Sequence, residues 1–451
     1  MFFLAAGRRR VVRILSEEGL FKSSAKILSW GGISQGAVGL AFVTVANLGI
    51  SFVFNWLLLR RLGASTETDA VFSALIVPQA IVMVLVTVAG KALTPHLAFL
   101  SLEKQRESAW GIAQGALVLF SLVAWTIWRT SPLWIPVFFS AFGSAARAET
   151  AQLVGIFVWL LPFQAVVSVA QGLAYAQERF LRAELSALAG SVAGICFLVE
   201  FLPRWGGRGY ALASVVRAVV TLGAIGGVLG SFRWAGFRPR LPALLWKRMG
   251  ILTGGAFLYK LTYFVDRVLS ALSPAGGLSL FQVSQQVFGA GEVVLQKAIS
   301  GPVLARMAGC LREEDETGAR SLYRGGVRQT IFFGVSAYIL LVIFGFPVLR
   351  LIFHGGHMSD GDLRLLWLLM VALGGQLLSP VVLALSNHYY ARGDTWTPTW
   401  IGLVGVPFAL TIRIFFFSYW GLRGLAVATG AYYGILVLIY TGLGLKREAK
   451  C

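Results

Sequence analysis

The chain alternates long apolar runs with short polar or charged breaks from about residue 33 almost to its C-terminus. A helix needs about 20 mostly apolar residues to cross the hydrocarbon core of a bilayer. Twelve runs approach or exceed that length, so the pattern predicts an all-α polytopic membrane protein with about twelve transmembrane helices. The predicted spans, numbered 1 to 12, are residues 33–59, 70–97, 109–128, 151–175, 184–202, 209–231, 250–272, 279–305, 329–353, 364–390, 396–418 and 422–444.

Short patterns recur at a nearly constant distance along the chain, which indicates an internal duplication. The stretch 91–95 in span 2 (Lys-Ala-Leu-Thr-Pro) matches 297–302 in span 8 (Lys-Ala-Ile-Ser-Gly-Pro), at an offset of 206 residues. Tyr175 in span 4 matches Tyr390 in span 10 at an offset of 215, and Asn55 in span 1 matches Asp266 in span 7 at 211. Six spans in each half bring both halves into the membrane from the same side. We therefore predict two six-helix lobes related as parallel repeats, with a substrate site between them.

The duplication and the charge clusters divide the chain into five predicted segments. They are a basic cytoplasmic N-terminal segment at 1–28, an N-terminal lobe at 29–232, a basic cytoplasmic linker at 233–249, a C-terminal lobe at 250–445 and a cytoplasmic tail at 446–451.

Composition and charge support a lipid environment. The 451 residues are 57% hydrophobic and 13% charged, about half the charged fraction of an ordinary soluble domain. The net charge of +19 would suggest a nucleic-acid partner in a soluble protein, but here the bases follow the loops. With the N-terminus in the cytoplasm, 24 Lys and Arg fall on the inner side, eight on the outer side and seven within spans. The positive-inside rule thus predicts a multi-pass protein of the bacterial inner membrane with both termini cytoplasmic, and no nucleic-acid partner.

The bases inside spans are the main functional signal, because an ionised side chain at the bilayer centre costs at least about 2.5–3.5 kcal/mol unless it faces a polar interior. Lys260 and Arg267 share one face of span 7, and a stripe of glutamines with Glu292 follows span 8. Spans 1, 2, 7 and 8 are repeat mates, so their polar faces can converge on one hydrated, positively charged cavity. An excess of bases favours an anion, and arginine geometry suits a phosphate or pyrophosphate.

These arguments define the candidate site residues. Substrate binding in the central cavity is assigned to Lys260, Arg267, Lys91, Lys297, Gln285, Gln286 and Asn55. Charge balance or ion coupling is assigned to Asp266, Glu292 and Asp69, and Arg217 and Arg413 are further candidates. A purely structural role is the alternative for two of these residues: Arg217 can extend to the membrane interface, and Asp266 can simply pair with a neighbouring base.

Other patterns predict no catalytic or metal site. His354 and His357 resemble a metal-ligand pair but lack a third strong ligand nearby in the sequence. The 52 glycines contain no Walker-type phosphate loop, so ATP hydrolysis is not expected. A membrane-embedded glycosyltransferase is the alternative from another class, and it would depend on Asp360 and Asp362 beside the two histidines.

Three motifs resemble the MurJ (MviN) family of lipid II flippases, which belongs to the multidrug/oligosaccharidyl-lipid/polysaccharide exporter superfamily. The motifs are Thr68-Asp69-Ala70-Val71-Phe72 followed by Pro78, Asp266-Arg267 through Ala275-Gly276-Gly277-Leu278-Ser279, and Tyr390-Ala391-Arg392-Gly393-Asp394-Thr395-Trp396-Thr397-Pro398. The resemblance covers roughly residues 30–445. Gln285 and Gln286 stand where the family carries Asp-Arg, Val82 and Met83 stand where it has arginine, and twelve spans are predicted where it has two more.

The resemblance implies a V-shaped pair of lobes that moves an undecaprenyl-pyrophosphate-linked saccharide, with lipid II the first choice, from the inner to the outer leaflet by alternating access. The alternatives are a flippase for an O-antigen, capsule or exopolysaccharide unit, and a cation-coupled multidrug exporter. We expect no covalent chemistry and no bound cofactor beyond a coupling ion (H⁺ or Na⁺) or the membrane potential. The expected partners are the lipid-linked saccharide, membrane lipids and the machinery that synthesises cell wall or polysaccharide, with the protein itself a monomer.

Overall fold

The computed structural model describes residues 35–231, 243–392, 394 and 396–448. Throughout these residues the chain is helical and contains no strand. The predicted N-terminal segment 1–28 and most of the predicted linker 233–249 lie outside the described residues, as do the last three positions of the tail.

The first half of the chain forms the N-lobe. Its helices are α1 (Gln35–Leu62), α2 (Thr66–Val88) continued by a π-helical turn (Ala89–Leu93) and α3 (Thr94–Ala98), α4 (Leu102–Phe138), α5 (Ser144–Phe157), α6 (Leu160–Ala176) and α7 (Phe180–Leu229). Predicted spans 1 to 6 are all present in these helices, and spans 5 and 6 form the two arms of α7, which reverses direction at Gly206.

The second half repeats this order as the C-lobe. Its helices are α8 (Ala243–Ala271), α9 (Gly277–Leu295) continued by a π-helical turn (Gln296–Ser300) and α10 (Gly301–Arg312), α11 (Glu316–Ile352), α12 (Asp360–Ala372) continued by a 3₁₀ turn (Leu373–Leu377) and α13 (Leu378–Ala391), and α14 (Trp396–Glu448). Spans 11 and 12 are the arms of α14, which reverses at Gly421.

The two π-helical turns occupy equivalent places in the lobes, and each precedes a proline. Pro95 has no N–H for the carbonyl four residues earlier, so an ordinary helical hydrogen bond is lost at this point. At the preceding residue, the Thr94 N–H donates to the Ala89 carbonyl oxygen five residues earlier, which is the bond of a π-turn, and the Thr94 hydroxyl donates to the same oxygen at 3.2 Å. Pro302 follows the second turn in the same way. The prolines therefore explain why both helices widen locally, and the shared irregularity supports the duplication.

The two helix reversals are a second repeat, which the sequence analysis missed. Trp205-Gly206-Gly207-Arg208-Gly209 and Trp420-Gly421-Leu422-Arg423-Gly424 are 215 residues apart. Gly206 (φ 50°, ψ −131°) and Gly421 (φ 55°, ψ −137°) adopt a backbone conformation that glycine accepts at little cost. A shared Trp-Gly-x-Arg-Gly pattern was the available signal.

The apolar core consists of two main clusters, one mostly in each lobe, and each includes a few residues of the other lobe. Leu153, Leu161 and Leu198 are fully buried among N-lobe helices, whereas Leu366 and Leu425 are fully buried among C-lobe helices. Large apolar side chains remain exposed around the outside of the bundle, for example on α4 and α11, as expected for a protein whose surface contacts lipid.

Eight helical stretches of the described residues are long and apolar enough to cross a membrane, and two of them, α7 and α14, carry two predicted spans each. Helices α8 and α9 are not among the eight. They carry several of the ionised and amide side chains that the sequence analysis assigns to a cavity.

Candidate functional site

A cavity of about 430 Å³ lies between the two lobes. Helices α1 and α2 of the N-lobe and α8 and α9 of the C-lobe all contribute to its wall, as predicted for spans 1, 2, 7 and 8. The 3₁₀ turn and α14 complete it. The polar side chains in the wall are Ser51, Asn55, Gln79, Lys260, Thr262, Tyr263, Asp266, Arg267, Gln282, Gln285, Gln286, Glu292, Gln376, Arg413, Thr429, Tyr432 and Tyr433.

One carboxylate and two guanidinium groups form the centre of the cavity wall. Arg413 Nε donates to Asp266 Oδ1 at 2.7 Å, and both side chains are only 4% exposed. Arg413 also donates to the Ala409 carbonyl oxygen at 3.2 Å and lies over the ring of Tyr432. Arg267 interacts electrostatically with the same Asp266 carboxylate. Because one negative charge faces two positive ones, this group keeps an excess positive charge.

Arg267 holds that excess charge in a largely dry place. The residue is 1% exposed, its guanidinium lies 4.5 Å from the centre of the Tyr263 ring, and Nη2 donates to Gln285 Oε1 at 2.9 Å. Its Nε and Nη1 are buried and make no hydrogen bond within the described residues. A buried donor without an acceptor is costly, and a charged one more so. Arg267 is therefore a strong candidate to bind an anion that enters the cavity.

Lys260 on α8 and Glu292 on α9 form a second charged pair, further from the α8–α9 loop than Asp266 and Arg267. The two side chains interact electrostatically, and Glu292 Oε1 accepts a hydrogen bond of 2.7 Å from the Ser379 hydroxyl on α13. The described wall of the cavity thus contains three bases and two acids. A net positive charge remains, which is the sign predicted from the sequence.

The predicted amide side chains connect the lobes on the α1–α9 side. Asn55 donates to Gln286 Oε1 at 2.5 Å and accepts from the Tyr210 hydroxyl at 2.5 Å. Gln286 Nε2 donates to the Ser51 carbonyl oxygen at 3.1 Å, while Gln285 Nε2 donates to Asp266 Oδ2 at 3.3 Å. These contacts position α9 against α1 and fix the orientation of Asp266.

The described wall of the cavity does not include the other predicted residues. The backbones of Lys91 and Lys297 are in the two π-helical turns, and their side chains lie outside the described residues. Arg217 on α7 donates to the Ser51 hydroxyl at 3.3 Å and is not part of the described cavity wall. Asp69 is also absent from that wall and is 3% exposed at the start of α2.

Asp69 joins the two lobes at one end of the bundle. Its Oδ2 accepts from the Gly276 N–H at 2.7 Å, and its Oδ1 accepts from the Ser279 N–H at 2.8 Å. A side chain of α2 thus caps the N-terminus of α9 across the lobe boundary, where backbone donors and the helix dipole favour a negative charge. The Asp69 carboxylate therefore offsets the partial positive charge at the N-terminus of α9.

Further contacts close the same end. The Trp56 indole donates to the Ile352 carbonyl oxygen at 3.1 Å, and the His357 N–H donates to the Arg60 carbonyl oxygen at 2.9 Å. Gly63 (φ 69°) and Gly276 (φ 86°) lie where a side chain would collide with the opposite lobe. We call this region, with loops 63–65, 272–276 and 353–359, the clasp end, and the opposite end, with loops 99–101 and 313–315, the basic end.

The histidines at the clasp end contact α1 through their backbones. His354 offers its carbonyl oxygen to Arg60 at 3.4 Å, and His357 uses its N–H as described. Among the described residues no group of three or more His, Cys, Asp or Glu side chains could hold a metal ion.

Several wall residues were not predicted. Gln79 accepts a 3.1 Å hydrogen bond from Tyr263 across the lobe boundary, and Gln376 and Tyr432 reach the cavity from the tenth and twelfth predicted spans. Each is an isolated polar residue in an apolar run, and Gln79 directly follows Pro78. That signal was present, but a lone glutamine or tyrosine does not indicate which neighbour it faces.

Similar folds occur among membrane transporters. A structure described as lipid II flippase MurJ in an inward closed conformation matches with a TM-score of 0.80 and 16% identity, covering 90% of this chain and 87% of that chain. An inward-facing multidrug resistance MATE family transporter of the MOP superfamily matches with a TM-score of 0.73 and 15% identity, covering 90% and 95%. The chain therefore has the fold of these multi-pass membrane transporters.

Residues 58–450 match the family described as lipid II flippase MurJ, and because this match covers most of the chain, the chain belongs to that family. A probable lipid II flippase MurJ from Vibrio cholerae serotype O1 is 30% identical over 123 residues, which is 27% of this chain and 23% of that protein. The corresponding Haemophilus influenzae protein is 27% identical over 201 residues, 42% of this chain and 38% of that protein. The matched regions thus span well under half the length of these curated relatives.

Proposed function

We propose that this protein moves a polyprenyl-pyrophosphate-linked saccharide from the inner to the outer leaflet of a bacterial cytoplasmic membrane by alternating access, and that lipid II is the first substrate to test. Membership of the lipid II flippase MurJ family and the similarity to two probable lipid II flippases support a lipid-linked cargo. The single observation that carries the proposal is the buried Arg267 guanidinium, with two nitrogens unbonded within the described residues at a cavity wall of net positive charge.

The proposed role of the cavity is electrostatic, and no covalent step is involved. A pyrophosphate group loses its water shell when it enters the cavity, so it needs fixed donors there. Arg267 supplies them, and Lys260 adds a second positive group nearby. Lys91 and Lys297, one on each side of the repeat axis, remain predicted contributors at the basic end.

The distribution of bases supports placing the basic end in the cytoplasm. Arg320 and Arg324 on α11 lie at this end, as do Lys104 and Arg106 in the first turns of α4. The clasp end is then the outer end, and it is closed by the contacts of Asp69 and Trp56. Under this proposal an inside-negative membrane potential would favour outward movement of an anionic headgroup by about 2.3 kcal/mol per charge per 100 mV.

Two acids are available for ion coupling. Asp266 is engaged with Arg413, so its protonation would release a buried arginine and change the charge of the cavity. Glu292 interacts with Lys260 and Ser379, and it offers a second position for a proton or Na⁺. The membrane potential is the alternative energy source, and dependence on a pH or Na⁺ gradient separates these possibilities.

Flipping by Arg267→Gln in reconstituted vesicles tests the proposal. Loss of charge-assisted hydrogen bonds worth about 1.5–3 kcal/mol should reduce transport of lipid II about 10- to 100-fold. Arg129→Gln is the matched control, because Arg129 is exposed on α4. Normal flipping by Arg267→Gln would contradict the assignment of the cavity to the pyrophosphate.

A second substrate remains a candidate because of the amide pair on α9. Gln285 and Gln286 bond to the protein itself, and uncharged amides suit sugar hydroxyls as well as they suit a peptide. Complementation of a strain depleted of its lipid II flippase tests the first choice. Failure there, with rescue of a strain defective in O-antigen or capsule export, would assign the protein to another lipid-linked polysaccharide unit.

A further inference from the structure

A second cavity, of about 680 Å³, lies beside the central one, between α2, α4 and α8. We call it the apolar cleft. Val77, Ala80 and Ile81 of α2 form one wall, and Leu261 and Phe264 of α8 form another. Among the described side chains that line it, Lys260 is the one charged group.

Lys260 belongs to both cavities. It contributes to the wall of the central polar cavity and to the wall of the apolar cleft. A lysine has a long apolar stem and a charged tip, so it can contact hydrocarbon along its length and an anion at its end. Lys260 therefore marks the place where the apolar cleft adjoins the polar central cavity.

The cleft faces the lipid side of the bundle. Leu119 on α4 is 54% exposed and Phe257 on α8 is 60% exposed, and both line the cleft. Towards the basic end Met249 packs against Val88 and Ala92. The mouth thus lies partway along the helices, where a bilayer presents hydrocarbon.

The clasp end of the cleft is closed by aromatic packing. The rings of Phe264 and Phe138 meet edge to face with their centres 5.3 Å apart. The opening of the cleft is therefore lateral, between two closed ends, and its shape suits a chain that extends sideways into the membrane.

The two sides of the lobe boundary differ. On the α1–α9 side, Asn55 and Gln286 bond to each other and Gln286 bonds to the Ser51 backbone. On the α2–α8 side, the Tyr263 hydroxyl donates to Gln79 Oε1 across the boundary at 3.1 Å, near the clasp end of the cleft. Nearer the basic end, Met249 of α8 packs against Val88 and Ala92. Hydrocarbon that enters between α2 and α8 at this level therefore meets mainly apolar side chains.

We propose that the apolar cleft holds the first part of the polyprenyl chain of the substrate while the pyrophosphate lies in the central cavity, with Lys260 at the junction between tail and headgroup. This inference rests on the proposed function and adds the path of the tail, which leaves the protein between α2 and α8. An apolar chain in this cleft stays out of water throughout, and the single positive charge stands where the chain joins its anionic group.

Photo-crosslinking tests where the tail lies. A benzophenone amino acid replaces Phe257 at the mouth of the cleft, and in the control protein it replaces Phe332, which is 64% exposed on α11. Each protein is placed in vesicles of phosphatidylethanolamine and phosphatidylglycerol that contain undecaprenyl pyrophosphate. Mass spectrometry should find prenyl adducts at position 257 in about tenfold higher yield than at 332, since a bound chain is held near one site. Phospholipid adducts alone, or equal prenyl yields at both positions, would overturn the proposal.

A plug variant tests whether the cleft is needed. Ala80→Phe places a ring inside the cleft, and Ala337→Phe places the same ring on the exposed face of α11 as a control. Ala80→Phe should lower flipping of the long-chain substrate about tenfold and leave binding of inorganic pyrophosphate within about twofold of wild type. Unchanged flipping by a folded Ala80→Phe protein would overturn the proposal.

Binding of undecaprenyl pyrophosphate distinguishes a failure of the proposed tail path from a failure of the proposed function. If undecaprenyl pyrophosphate binds in an Arg267-dependent way and position 257 gives no prenyl adduct, the path of the tail is wrong and the proposed function stands. If binding does not depend on Arg267, the proposed function fails and the tail path fails with it.

Discussion

The cap that Asp69 places on α9 should hold the clasp end closed. Asp69→Ala removes the acceptor for the N–H groups of Gly276 and Ser279, which lie 2.7 and 2.8 Å from the carboxylate oxygens. In a conformation with the clasp end open, the two lobes separate there and these bonds are broken. The substitution therefore acts mainly on the closed state, and a change in population requires such a difference between states.

The size of the effect follows from the two bonds. A hydrogen bond to a charged group contributes about 1.5–3 kcal/mol net, so two at the lower limit contribute about 3 kcal/mol. Since about 1.4 kcal/mol corresponds to a factor of ten, Asp69→Ala should raise the ratio of open to closed clasp about 100-fold. Asp69→Asn keeps one acceptor oxygen and loses the charge, so we expect an intermediate shift of about tenfold.

Spin-label distances measure this ratio. The labels replace Arg61 and Ala275, which are exposed on opposite lobes at the clasp end, in a protein whose native cysteines have been substituted. Asp69→Ala should move the distance distribution towards longer separations in nanodiscs, and Asp69→Asn should do so to a smaller extent.

Glu67 provides the matched control. It lies two residues earlier on α2, and its carboxylate accepts a 2.7 Å hydrogen bond from the Gly207 N–H, but that bond lies within the N-lobe. Glu67→Ala should lower thermal stability and leave the distance distribution unchanged. If Asp69→Ala leaves the distance distribution as in wild type, or if Glu67→Ala shifts it equally, then Asp69 does not hold the clasp end closed.

Two further predictions concern stability. Arg413→Met removes one partner of the buried pair with Asp266 and should lower the free energy of unfolding by about 3–5 kcal/mol in detergent unfolding titrations. Arg267→Met removes a guanidinium with unbonded nitrogens and should lower it much less. Equal losses for the two variants would contradict this prediction. Gly421→Ala should cost about 1–3 kcal/mol from backbone strain alone, because nothing lies within 4 Å of the added methyl group. Gly206→Ala should cost more in the same titration, because its methyl group would also collide with a carboxylate of α2.

The sequence alone determined the architecture and the sign of the site. Because a chain that crosses lipid needs long apolar helices, the composition of each run was enough to predict the twelve spans. The repeated proline patterns were enough to predict the duplication. The high cost of a charge in lipid pointed to Lys260 and Arg267, and the structure places both on the wall of one cavity. These features depend on local sequence or on the solvent, which is why they needed no coordinates.

The tertiary structure decided which charged group meets which. Asp266 pairs with Arg413, 147 residues away, and leaves its sequence neighbour Arg267 with unbonded donors. Asp69 was expected to balance charge near the substrate and instead caps a helix of the other lobe. The two faces of Lys260 likewise emerge only when α2, α4 and α8 are packed together. Pairing between distant helices depends on how the helices cross and rotate, and neither is encoded in the periodicity of any single span.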